Sequence, residues 1–77
     1  MSPLAENLRN ALMSKNPKVH EAALRTLEEL LPRIDDRELL LELHRVLSDA
    51  TKSWSEPERE PIGTIITLID SYVAAAA

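Results

Sequence analysis

Seventy-seven residues, 44% hydrophobic and 29% charged, with a net charge of -4, suffice for one small soluble domain with a single core. Thirteen acidic against nine basic side chains weigh against a dedicated binder of phosphate backbones, and with no cysteine there are no disulfides, thiolate nucleophiles or Cys-based metal centres. No stretch reaches the roughly 18 apolar residues of a membrane span, and the start MSPLAENLRN lacks the pattern of a signal peptide, so a cytoplasmic location is expected.

Caps and prolines mark four helices in chain order, expected at about 3–14, 17–31, 36–52 and 57–74 of a single domain spanning 1–77. Ser2 before Pro3 places a capping side chain ahead of a proline at the first helical position, where the missing N–H is not needed. Leu4, Leu8, Ala11 and Leu12 then share one face. Asn16 and Pro17 repeat the signature, and Val19, Ala23, Leu27, Leu30, Leu31 and Ile34 form the second stripe. Asp35 or Asp36 caps the third helix, whose stripe is Leu39, Leu40, Leu43, Val46, Leu47 and Ala50. Ser55, ahead of Pro57 and Pro61, opens the fourth, with Ile62, Ile65, Ile66, Ile69, Tyr72 and Val73 along one side. No segment alternates with a period of two. The chain therefore reads as all-α, four short antiparallel helices joined by links of a few residues, in a closed bundle or as two stacked hairpins.

Met13 and Leu41 fall off the stripes of their helices, by about 100° per residue. On a lone copy both are exposed, and a second chain covering them would supplement an aliphatic core containing few aromatics. Trp54, the only tryptophan, stands just before Ser55. It can pack back onto the fourth helix near Ile62 as a hydrophobic staple, or anchor a partner.

The stretch Asn16 to Pro32, NPKVHEAALRTLEELLP, resembles a helix of a HEAT repeat. Asn16, Pro17, Val19, Ala22, Ala23, Leu24 and Leu27 stand at the positions of that pattern, and His20 occupies a place where the family usually has Arg. In such a helix, small residues such as Ala22 and Ala23 let a neighbour approach while Val19 and Leu27 fill the seam. The resemblance covers about a fifth of the chain and implies a scaffold or adaptor that binds protein, with no catalytic residues to carry over. The Ala74 to Ala77 tail is a helix former without a cap and reads as a fraying helical end, and it also looks like the small apolar tags that bacterial unfoldases recognise.

Tests for chemistry are mostly negative. His20 and Glu21 begin a zincin-like pattern, but Leu24 stands where the second histidine is required. Pro17 and Leu41, three residues before His20 and His44, rule out the Glu-x-x-His pairs of a di-iron bundle. Ser48, one turn after His44, sits mid-helix without free amides for an oxyanion hole. No catalytic, cofactor-binding or metal-ligating residue is assigned, and no cofactor is expected. The expectation is a non-enzymatic protein–protein interaction module, a regulator, adaptor or inhibitor, working as a homodimer that binds another protein. Its interface is expected to use Leu41, His44 and Trp54, with Arg37 and Arg45 at the rim and Met13 as a further uncovered apolar side chain. The alternatives are a nucleic-acid-associated transcriptional regulator presenting Arg37 and Arg45, or a bundle holding a metal or small apolar ligand.

Overall fold

A computed structural model describes residues 2–76. It contains four α-helices, α1 (Pro3–Leu12), α2 (Pro17–Leu30), α3 (Arg37–Ala50) and α4 (Glu56–Ala76), with a 3₁₀ turn at Leu31–Arg33. Three of the four expected caps form side-chain hydrogen bonds, while Ser55 accepts from the amides of Glu58 and Arg59 through its carbonyl. Ser2 Oγ accepts from the Ala5 amide at 3.2 Å, and Asn16 Oδ1 accepts from the Lys18 amide at 2.9 Å. Of the two candidates for α3, Asp36 is the cap, its Oδ1 accepting from the amides of Glu38 at 3.0 Å and Leu39 at 3.4 Å. Replacing Asp36 with alanine leaves both amides without that acceptor and is expected to cost about 1 kcal/mol in a urea titration, with Asp35→Ala close to neutral.

The helix ends have local causes as well. Leu31 keeps helical backbone, but Pro32 has no N–H to bond the Glu28 carbonyl, so α2 gives way to the 3₁₀ turn, after which Ile34 is extended, with φ -91° and ψ 117°. The Thr51 hydroxyl, buried, donates to the Leu47 carbonyl at 2.6 Å where α3 ends. Pro57 sits in the first turn of α4, whereas Pro61 lies inside the helix and removes the N–H that would bond to the Pro57 carbonyl. Ala74 to Ala76 continue α4, and Ala77, the last residue of the expected tail, lies outside the described residues.

The four helices form a ring in which α1 packs on α2 and α3, and α4 packs on α3 and α2. Short links make α1/α2 and α3/α4 hairpins. The α2 and α3 helices, consecutive in sequence, lie on a diagonal instead, because the 3₁₀ turn and the extended Ile34 carry the chain across the end of the molecule. The two hairpins are stacked in the same sense. The Ser2 amide at the start of α1 donates to Glu42 Oε1 at 2.7 Å, while Leu12 and Met13 at its other end lie beside Ala50 and Trp54. Pro17 and His20 of α2 likewise lie beside Trp54 and Glu58 at the start of α4.

The core is aliphatic throughout. Leu12, Leu31, Leu40, Leu43, Leu47, Ile65 and Ile69 are fully buried, with Trp54 and Tyr72 packed at its margin. Met13 is 64% exposed and Leu41 40%, as their positions off the stripes predict. Val19 departs from its stripe assignment, with 36% of its surface exposed. The α2 stripe is broader than the surface that the other helices cover, and its Val19 edge faces outward beside α1.

Candidate functional site

The six residues singled out in the sequence divide between two surfaces of α3. Met13, Arg45 and Trp54 come together in a groove of about 790 Å³ between α1 and α3, where Arg9 joins them. The helical rise brings Arg9 to the end of α1 that faces Arg45. Neither arginine makes an ion pair among the described residues, whereas Asp49 on the same wall pairs with Lys52 at 3.4 Å. Glu42 closes the far end, its carboxylate held by the Ser2 amide. The groove thus offers two free guanidinium groups, each a planar fork suited to carboxylates, beside an exposed thioether and a half-buried indole.

Arg37, Leu41 and His44 lie elsewhere, on the side of α3 turned away from α1. His44 stands about 200° around the helix from Glu42, which faces α1. Its Nε2 lies 3.3 Å from Asp70 Oδ1 of α4, so the side chain expected at an interface is tied to a neighbouring helix. Leu41 is one turn from Arg37 and one turn from Arg45, forming a single apolar spot within a polar strip.

Trp54 is fixed by a contact that the sequence does not announce. Its ring stacks on His20, with centroids 4.3 Å apart and planes inclined by 17°. His20 Nε2–H in turn donates to the Ser14 carbonyl in the α1/α2 turn. The stack joins the turns of the two hairpins and sets the indole between the α1/α3 groove and a second one running along α2 and α4. Reading from sequence missed Arg9, Asp70 and the His20 stack. Arg9 carried a usable signal, since a basic residue one turn before Met13 on a solvated face can border the same patch. The partners of His44 and Trp54 had none, because each lies on a distant segment.

Among the described residues no three His, Asp or Glu side chains converge to hold a metal ion, and no buried side-chain polar atom lacks a hydrogen-bond partner. Among the described residues no helix is long and apolar enough to cross a membrane. The chain matches no protein-family model, and no curated protein or solved structure matches it.

Proposed function

We propose that this protein is a non-enzymatic protein–protein interaction module, a regulator, adaptor or inhibitor that acts as a homodimer and receives its partner in the groove between α1 and α3. The observation that carries this reading is the juxtaposition of Met13, 64% exposed, with Trp54 and two arginines that make no ion pair among the described residues. Met adapts its shape to a ligand surface, and Trp and Arg are the residue types that most often dominate binding energy. The partner that suits this groove is an amphipathic segment with an apolar anchor and carboxylates spaced to reach Arg9 and Arg45. Leu41, His44 and Arg37 form a secondary surface on α3, and neither nucleic-acid binding nor ligand carriage has a comparable observation in its favour.

The test combines affinity capture from the source cells with titration of the purified partner against the wild type, Arg45→Glu and Met13→Glu. Both side chains are exposed, so the variants are expected to fold normally while raising Kd about tenfold or more. A partner whose affinity is unchanged by either substitution would overturn the assignment of the groove.

A further inference from the structure

The outer face of the first hairpin is an open and mostly apolar surface. It is a groove of about 450 Å³ between α1 and α2, walled by Leu4 and Ala11 on one side and by Val19, Ala22 and Thr26 on the other. Val19, Ala22 and Thr26 are exposed along one ridge of α2, and the small Ala22 leaves room for a helix to approach closely. The second hairpin's outward side is different in kind, carrying Arg37 and the His44–Asp70 pair. A head-to-tail stack would set that polar strip against the apolar groove. An isologous contact sets the groove against itself.

The charges along the ridge indicate its occupant. Lys18 borders the groove at the start of α2, and Glu29 lies near its end, only about 20° around the helix from Lys18. Both are exposed and neither makes an ion pair among the described residues, unlike Arg25, which is paired with Glu21 at 3.4 Å. The midpoint between positions 18 and 29 falls at Ala23 and Leu24, next to Ala22. A two-fold axis there runs α2 antiparallel to its copy and sets Lys18 of each chain opposite Glu29 of the other, twice over. Two chains of net charge -4 repel in general, and this face is one where their charges cancel.

From this charge pattern we infer that a second copy of this chain covers the α1/α2 groove, forming a two-fold dimer whose axis passes at Ala23, beside Ala22, with reciprocal Lys18–Glu29 pairs. The inference rests on the homodimer reading above and places its interface away from the partner groove and from Leu41.

The experiment is light scattering on the full chain, with sedimentation equilibrium to obtain Kd. The wild type is expected at about 17 kDa, twice the chain mass of 8.6 kDa. Ala22→Glu, at an exposed helical position, is expected to give a monomer with an unchanged helical spectrum. Lys18→Glu and Glu29→Lys are each expected to raise the dimer Kd about tenfold, and the double variant to restore it, because only the charge swap returns opposite signs across the axis. Leu41→Glu is expected to leave the dimer intact. A wild type that stays monomeric overturns both this interface and the homodimer reading. A dimer that survives Ala22→Glu, or that Leu41→Glu dissolves, overturns this interface alone. Failure of the double variant to recover overturns the two-fold register.

Discussion

Replacing Leu47 with alanine is expected to remove 2–5 kcal/mol of stability, the range for deleting a fully buried leucine whose surroundings relax only in part. A chain of 77 residues has on the order of 4–12 kcal/mol in total, so the loss takes a large share of what holds it folded. The position makes the upper part of that range the expectation. Leu47 is fully buried on α3, the helix that packs along both α1 and α4, so the cavity opens where the two hairpins meet. Its carbonyl also accepts from the Thr51 amide and hydroxyl, fixing the end of the helix, and the substitution leaves that backbone bond in place. Urea unfolding followed by circular dichroism should show a lower midpoint with an unchanged slope, and Leu47→Met should cost less than about 1.5 kcal/mol. Protein concentration must be held constant across the series, since dimerisation adds to apparent stability. A loss below about 1 kcal/mol for Leu47→Ala would mean that the hairpins are not packed as described.

The second large effect is expected at Trp54. Truncation to alanine should cost about 2–3 kcal/mol, less than for a fully buried tryptophan because the indole is only half-buried. Part of that loss belongs to the stack on His20. A double-mutant cycle of Trp54→Ala and His20→Ala should return a coupling of about 0.5–1.5 kcal/mol, the range for aromatic pairs. Coupling near zero would show that the rings do not meet in solution. Trp54→Phe keeps an aromatic face toward His20 and should recover most of the coupling. The same side chain faces the α1/α3 groove. Its stability cost and its effect on partner binding are therefore to be measured separately, and the exposed Met13 and Arg45 are the cleaner probes of binding.

Much of the fold was legible because its causes are local. Ser2, Asn16 and Asp36 cap amides only two or three positions away, and Pro32 lacks the N–H that would continue the ladder of α2. Helix type and the inward stripes follow from spacing along one segment, as do the exposed Met13 and Leu41. Val19 shows the limit of that reasoning. A wheel tells which residues share a face, but how much of that face a neighbour covers depends on where the neighbour lies. The neighbours of α2 are α1 and α4, not α3, and between them they leave the Val19 edge open.

The candidate site was legible only in part. Exposed apolar and aromatic residues nominated Met13, Leu41 and Trp54, yet the division of the nominated set into two surfaces depended on which side of α3 meets α1. The Ser2–Glu42 bond joins positions 40 apart, and the His20–Trp54 and His44–Asp70 contacts also cross between helices. Such pairs satisfy no local rule.

By itself, then, the sequence determined an all-α chain, its helix starts and the aliphatic residues that must turn inward, because capping bonds and the 3.6-residue period act within a single segment. Only the tertiary structure decided that the hairpins stack in the same sense, that Arg9 and Arg45 border one groove, and that an apolar face of the first hairpin stays open. Those outcomes depend on how whole helix faces fit one another in space, a constraint that no run of consecutive residues carries.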